Sequence, residues 1–549
     1  MGRHCGYLAL AASLALDADF CFIPEWPPPA RWQQILCKKL KQMREDGNRV
    51  NIVIVAEGAI DQNGTAISSE MIKDVIKNNL KYDTRVTILG HIQRGGSPSA
   101  FDRLLGCRMG VEATVALMEM DDKTEPCVVS IAGNQMVRIP LMKCVERTKA
   151  VKRAMDQKDW ATALEYRGHS FRRNVEMYRT LNKIRKPGKI RSEGFNIAII
   201  NVGSPSGGCN AAVASCVRTA ILQGCTPYCI FNSNDGFASG LFQKMTWNDV
   251  SLWSAEGGSF LGAQRTLPDS TTLPLMATNL ERYNIHGLII IGGFDAFHTC
   301  LIFAQNREQY PAFRIPMSVI PSTINNNVPG TAFTLGTDTS LNEICKTIDK
   351  IKQSATGHKR RVFIIETMGN YCGYLATLSA MASGADAAYI YEEIFNVHEL
   401  VSNVRVILEK METGAQRYLV VRSEKASENY TSEFIRQLFT EECKGAFSTR
   451  TNVLGHTQQG GNPSPFDRLF GAKLGAKAVV HLLGQMREMK RSGGHYHPGT
   501  ATLQGLIGKH VCMTPVQELA DDADFLHRLP MEQWWMKLRP LLRILARHA

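Results

Sequence analysis

No apolar run in the chain approaches the roughly eighteen residues of a helical membrane span, which excludes an architecture of membrane helices. The fifteen cysteines form no Cys-x-x-Cys pair and no metal-ligand spacing. An odd, scattered set of thiols excludes a disulfide-stapled secreted scaffold and fits a reduced, cytoplasmic protein. The sequons at Asn63 and Asn429 are then chance matches. There is also no concentrated block of one charge. The net charge of +12 is spread out, with only short clusters such as Lys359-Arg360-Arg361. A nucleic-acid binder gathers its charge on one stripe or tail. The expected partners are therefore acidic small metabolites, with no nucleic acid and no membrane. No residue is assigned to a metal.

What is present is a duplication. Leu89 to Gly110 (LGHIQRGGSPSAFDRLLGCRMG) returns as Leu454 to Gly475 (LGHTQQGGNPSPFDRLFGAKLG). Met1 to Ala9 (MGRHCGYLA) returns as Met368 to Ala376 (MGNYCGYLA). Matches of this length mark an internal repeat. Met1 to Leu16 resembles a signal peptide, with basic residues ahead of an apolar run. Its twin lies deep inside the chain, so the segment is predicted to be a mid-domain helix over Gly6 to Leu16.

The repeated stretch has the features of an anion site. Gly95 and Gly96 let backbone approach a ligand, Ser97 or Ser99 caps the following helix, and His91 and Arg94 add donors. The bland alternative is a capped turn with solvated charges. The copies differ in charge: Arg94 aligns with Gln459 and Arg3 with Asn370, whereas Arg85 and Arg450, and Glu57 and Glu424, are kept in both. The pattern fits one site that handles transferred charge and a sibling that only binds.

Period and punctuation predict alternating helices and strands. In the first repeat these are a helix over Trp32 to Arg44, a strand over Asn51 to Ala56, a Ser-capped helix over Ser68 to Leu80, a short strand over Arg85 to Gly90, a helix from Ala100 to Met120 and a strand over Cys127 to Ala132. Residues 151–192 are charged and helix-like, with Trp160, Phe171 and Tyr178 as packing anchors and a hinge at Arg185 to Lys189. In the second repeat, strand Phe195 to Val202, the turn Gly203 to Gly208 and helix Asn210 to Gln223 have the layout of a phosphate cradle, a weak signal alone. Strands follow at Gly287 to Gly293, Val362 to Glu366, Ala387 to Tyr391 and Tyr418 to Val421. The fold class is α/β, with mostly parallel sheets flanked by helices and ligands at strand C-termini. The division is 1–150 (part of a first repeat), 151–192 (linker) and 193–549 (second repeat). In the second repeat a long stretch, starting near Phe195, precedes the Met-Gly-Asn segment at Met368, whereas the first repeat begins at its equivalent, Met1. The first repeat is therefore expected to be truncated, whether by processing, an alternative start or a partial gene.

MGRHCGYLAL, AEGAI, HIQRGGSPSAFDR, TINNNVPGT, KRRVFIIET and the closing EQWW together resemble the ATP-dependent 6-phosphofructokinases in their tandem-repeat, animal-type form, along essentially the whole chain. The resemblance implies tandem phosphofructokinase-like repeats, an N-terminal repeat that transfers the γ-phosphate of MgATP to the 1-hydroxyl of fructose 6-phosphate, and a regulatory C-terminal repeat. It implies a sugar-phosphate site of Met1, Gly2, Arg3, Glu57, His91, Ile92, Gln93 and Arg94, with Arg85 reaching in from a neighbouring subunit. Arg3 would be catalytic, steadying the phosphoryl group, a role worth about 10³–10⁵ in rate in phosphoryl transfer generally. The second repeat would bind fructose 2,6-bisphosphate through Arg265, Thr323, Ile324, Asn325, Asn326, Asn327, Arg361, Met368, Gly369, Asn370, Glu424, Arg450, His456, Thr457, Gln458, Gln459 and Arg528. A cytoplasmic homo- or hetero-tetramer is implied, using Mg²⁺ with ATP.

The family's Gly-Gly-Asp-Gly-Ser loop and Thr-Ile-Asp-Asn-Asp segment have their only equivalents in the second repeat. There Phe294 stands at the metal-binding Asp and Asn325 at the general base, and a neutral amide takes no proton near neutral pH. Two readings follow. The chain belongs to a working kinase, or it is a non-catalytic sugar-phosphate-binding fragment or subunit.

Overall fold

The computed structural model describes residues 1, 2, 4–45, 47, 48, 50–181, 194–355, 357 and 360–546. Arg3 and the expected hinge at 185–189 lie outside the described residues.

The first repeat opens with α1 (Tyr7–Ala15), where the signal-like segment forms the expected helix. Next come β1 (Phe20–Phe22), α2 (Trp32–Glu45), β2 (Val53–Val55) and α3 (Ser69–Leu80). Ser68 caps α3 by accepting from the Met71 N–H at 3.2 Å. Ile72 and Ile76, one turn apart, are the buried face of that helix. β1 and β2 pair in parallel as a two-stranded sheet. The helix α4 (Ala100–Met118) is capped by Ser99, and the hairpin of β3 (Cys127–Ala132) and β4 (Gln135–Pro140) follows. The segment 81–89 forms no strand, against expectation. Its counterpart in the second repeat is a strand because a central strand pairs with it, and among the described residues no strand lies beside 81–89 to accept those backbone bonds.

The expected boundary at 150 falls inside α5 (Leu141–Asp156). After it, α6 (Trp160–Tyr166) and α7 (His169–Leu181) join the first repeat's core, where Leu164, Phe171, Val175 and Tyr178 pack with Leu10, Leu14, Cys21 and Ile23. Phe171 and Tyr178 are the anchors expected of them; Trp160 is half-buried.

The second repeat carries two large sheets and a short two-stranded one, Ala523–Asp524 with Leu529–Pro530. Its chain order is β5 (Asn196–Val202), α8 (Cys209–Leu222), β6 (Thr226–Ile230), α9 (Ser233–Ser239), β7 (Phe242–Lys244), α10 (Leu273–Arg282), β8 (Gly287–Gly292), α11 (Phe294–Gln305), β9 (Met317–Pro321) and α12 (Thr337–Ala355). Then come β10 (Arg361–Thr367), α13 (Tyr374–Ser383), β11 (Ala387–Tyr389), α14 (Val397–Glu412), β12 (Arg417–Ser423), α15 (Ser432–Glu442), β13 (Ser448–Val453), α16 (Pro465–Arg491), β14 (Ala501–Ile507), β15 (His510–Pro515) and α17 (Arg539–Leu545). A seven-stranded sheet runs β15-β14-β9-β8-β5-β6-β7, parallel except at its two edges. A four-stranded, all-parallel sheet runs β11-β12-β10-β13. Continuous Ile/Val runs such as Gly287–Gly292 are buried on both faces because helices cover both.

The repeats clasp each other crosswise. Helix α1 packs on α16 and α4 on α13. Since α1 and α13 are twins, as are α4 and α16, the contact is quasi-twofold. Ala100 and Leu104 enter the α13 core beside Tyr374 and Leu375, and Leu469 packs against the core that holds Leu10 and Leu14. Arg103 makes a two-point ion pair with Asp349 of α12, and Asn342 accepts from the Ala100 N–H at 2.9 Å.

Candidate functional site

Each repeat builds the same turn. Gly2 (φ +110°) and Gly369 (φ +146°) adopt a backbone that L side chains disfavour. The Cys5 N–H closes the first turn on the Gly2 carbonyl at 2.7 Å, and the Cys372 N–H closes the second on Gly369 at 3.0 Å. The Met1 nitrogen donates to Gln93 Oε1 at 2.9 Å, and the Met368 N–H to Gln458 Oε1 at 3.2 Å. Each glutamine amide then donates back into its own turn, Gln93 to Gly90 at 3.1 Å and Gln458 to Gly455 at 3.0 Å. Gln93 and Gln458 thus each tie two turns together, through one bond at the amide oxygen and one at the amide nitrogen. In the second repeat Glu424 Oε1 accepts from the N–H groups of Gly369 (3.1 Å) and Asn370 (2.7 Å). Glu57, its twin, is exposed beside β2, and His91, Ile92, Gln93 and Arg94 are all exposed.

The rest of the second-repeat site lies at strand C-termini. Beyond β5, Ser204 Oγ accepts from Arg265 Nε at 2.9 Å. Beyond β8, buried Asp295 pairs with Arg528 at 2.9 Å, and the Arg528 carbonyl accepts from Asn327 Nδ2 at 2.8 Å. Beyond β9, Asn326 (φ +53°) donates to the Ala332 carbonyl at 3.0 Å, and Thr323 Oγ1 accepts from the Asn325 N–H at 3.3 Å. Ile324 is buried in the core with α13. Asn325 is the least buried of the five. A cavity of about 440 Å³ is lined by Pro205, Ser206 and Gly207 together with His456, Thr457, Gln459 and Gly460, and by Glu343 of α12. The Gly-rich turn and the repeated His-x-Gln-x stretch therefore face one space.

Some expected residues stand elsewhere. Arg361 opens β10, and the turn at Met368 follows its far end, about 20 Å away at roughly 3.3 Å per residue. The registers Arg361↔Ser448 and Phe363↔Arg450 put Arg361 and Arg450 on one face of the sheet, next to the edge strand β13. Within this chain neither arginine belongs to the loop cluster at the other end of β10. Arg85 is exposed, 3.6 Å from Asp83. Arg3 lies outside the described residues.

The phosphate-cradle layout has an interior explanation. A Cβ on Gly207 would lie 2.8 Å from Thr339 Oγ1, and one on Gly208 2.8 Å from the Asp467 carbonyl. Ser206 Oγ bonds Ser322 Oγ and the Leu335 carbonyl, each at 2.8 Å. The residues here do not fit a magnesium ion. Phe294 is buried at the position of the expected ligand, Asp295 is paired with Arg528, and the described residues hold no group of three His, Cys, Asp or Glu that could ligate one.

Sequence reasoning missed several residues. Glu25 and Glu392 accept from Gly6 and Gly373, the N-caps of α1 and α13, at 2.8–3.1 Å. A Cβ on either glycine would strike Ile23 or Ile390 at 2.4–2.6 Å. The available signal was the repeat itself: the alignment that pairs Met1 with Met368 also pairs Glu25 with Glu392. Burial pushes the Glu392 carboxyl up to about 7. Asp467 is fully buried; burial, then the neighbouring Asp338 carboxylate, push it up to about 7. It accepts from Gly336 (3.0 Å) and Thr339 (2.8 Å) N–H groups.

With that geometry in view, comparison with known proteins identifies the class. The Phosphofructokinase family matches residues 1–117 and 196–482, and the chain belongs to that family. It is 61% identical to ATP-dependent 6-phosphofructokinase 1 of Caenorhabditis elegans, over all of this chain and 68% of that protein. It is 52% identical to the human muscle-type ATP-dependent 6-phosphofructokinase, over all of this chain and 70% of that protein. Among solved structures it superposes on phosphofructokinase of Pichia pastoris (TM-score 0.95, 36% identity, all of this chain, 64% of that one). It also superposes on that of Saccharomyces cerevisiae (TM-score 0.96, 34% identity, all of this chain, 73% of that one). The α/β fold with mostly parallel, helix-flanked sheets is the one expected.

Proposed function

We propose that the gene product acts in glycolysis as an ATP-dependent 6-phosphofructokinase. It would convert fructose 6-phosphate to fructose 1,6-bisphosphate as an allosterically regulated cytoplasmic tetramer, with Mg²⁺ arriving with ATP. The reading keeps the division 1–150, 151–192 and 193–549. Met1, Gly2, Arg3, Glu57, His91, Ile92, Gln93 and Arg94 hold the sugar phosphate in the first repeat, and Arg3 steadies the transferred group. The observation that carries it is the shared turn, tied by the same glutamine in both repeats, with arginines beside it in the first copy only. The second repeat binds fructose 2,6-bisphosphate, with Arg265 and Arg528 as phosphate forks. Arg361 and Arg450 serve the site of a neighbouring subunit, as Arg85 does in the first repeat. Their place toward the opposite end of β10 supports that division of labour.

A second reading, a non-catalytic sugar-phosphate-binding chain, is favoured for these 549 residues alone by Phe294 and Asn325 at the metal and base positions. Calorimetry on the purified chain separates the parts. Fructose 2,6-bisphosphate is expected to bind, and Arg361→Ala or Arg450→Ala to weaken it at least about tenfold, the loss of one charge-assisted contact. Unchanged affinity in both variants overturns the assigned site. No turnover is expected, and Arg3-dependent phosphorylation of fructose 6-phosphate by this chain would overturn the second reading.

A further inference from the structure

Building on the sugar-phosphate reading of the first repeat, we propose that Arg167 is a positioning residue that holds, from the segment between the repeats, the turn carrying Arg3. The turn is closed by the Cys5 N–H on the Gly2 carbonyl and leads into Gly6. Its far end is fixed from inside, because Glu25 has no exposed surface and both its oxygens accept from the Gly6 N–H, at 3.1 and 2.9 Å. A carboxylate that deep needs a cation. Arg167 supplies it, with Nε 3.0 Å from Glu25 Oε1. The Nε–H is off that line, so the contact is a charge pair rather than a linear hydrogen bond. Its Nη2 donates to the carbonyl of His4, the residue after Arg3. One guanidinium therefore grips both the anchor of the turn and the turn itself.

Arg167 ends α6 and is followed by Gly168 (φ +98°) and α7. Phe171, Val175 and Tyr178 of α7 share a core with Leu10 and Leu14 of α1. The segment is thus mounted on the helix whose N-terminus it steers. The second repeat is wired differently. Glu392 accepts from Gly373 in the same way, but Arg539 gives its Nη2 to Glu393 and to the Ala388 carbonyl, not to the turn. The first-repeat turn therefore follows the position of α6 and α7, and the segment joining the repeats acts on the sugar-phosphate site.

The test compares Arg167→Met and Arg167→Lys with the parent chain by amide hydrogen exchange, thermal unfolding and calorimetry with fructose 6-phosphate. Arg167→Met is expected to speed exchange of the Gly6 amide and its neighbours at 5–10 by about tenfold, with exchange elsewhere unchanged. Sugar-phosphate affinity is expected to fall by a similar factor and fructose 2,6-bisphosphate affinity to hold, while the lysine variant recovers part of both losses. Unaltered exchange at 5–10, or acceleration spread evenly over the chain, overturns the proposal. If the parent chain binds no fructose 6-phosphate while Arg167→Met still loosens residues 5–10 alone, the positioning role stands and the substrate reading falls.

Discussion

The first-repeat turn and the second-repeat turn share their closing hydrogen bonds and have very different surroundings. Gln93 is exposed, whereas Gln458 is 1% exposed although it makes the same two bonds. The first turn precedes a two-stranded sheet; the second leaves the central strand of a four-stranded one. The first keeps Arg3 and Arg94 where the second has Asn370 and Gln459. Hydrogen bonds within a turn fix its shape, while the surroundings decide how strongly that shape is enforced. The second copy is set in a sheet that holds it, and the first is gripped by Arg167, which caps the end of α6.

The largest break in the comparison is expected at the buried glutamates. Glu25→Leu leaves Arg167 without its anion and the Gly6 N–H without an acceptor, a cost of about 3–5 kcal/mol. Glu392→Leu removes the acceptor of Gly373 but leaves Arg539 bonded to Glu393, so about 1–3 kcal/mol is expected. Denaturant midpoints for the two variants measure the gap, and equal losses would mean that Arg167 adds nothing.

Next is the pH response of the second repeat. Asp467 rises from 3.8 to about 7, so between those values the folded chain binds more protons than the unfolded one. Stability from this group is fully present below about pH 4 and is lost as pH rises through about 7. Glu392, raised to about 7, acts in the same direction. The melting temperature should fall between pH 5 and 8. Asp467→Asn should flatten that slope, removing on the order of 3 kcal/mol of pH dependence. A slope unaltered in the variant would show that Asp467 is ionised in the fold.

The smallest effect separates the two glutamines. Gln458→Ala leaves the Met368 N–H without its acceptor and should cost about 1–3 kcal/mol. Gln93→Ala, at an exposed position, should cost no more than about 0.5 kcal/mol. Thermal unfolding of both variants checks the ranking.

The helices were readable because period, cap and repeat agreed: Ser68 and Ser99 cap where expected, and the twin of Met1–Leu16 marked that segment as a mid-domain helix. The strand over 85–90 was not, because its residues suit a strand and only a neighbour decides whether one forms. The location of Arg361 and Arg450 was equally hidden, since motif position says nothing about which end of a strand a residue occupies. That Gln458 ties the Met368 turn to its own was hidden too, since a motif position does not show which backbone groups a side chain reaches. Glu25 has a visible twin, but its meaning depends on Arg167, far along the chain, and no local pattern joins them.

The crosswise contact of α1 with α16 and α4 with α13 means that two of the hydrophobic cores are built from both repeats. Severing the backbone after α7 would yield two pieces still locked together, as two molecules of an ancestral dimer would be. The aligned changes Arg3 to Asn370 and Arg94 to Gln459 fall outside the four clasping helices, so the charge of a turn can change without loosening the clasp.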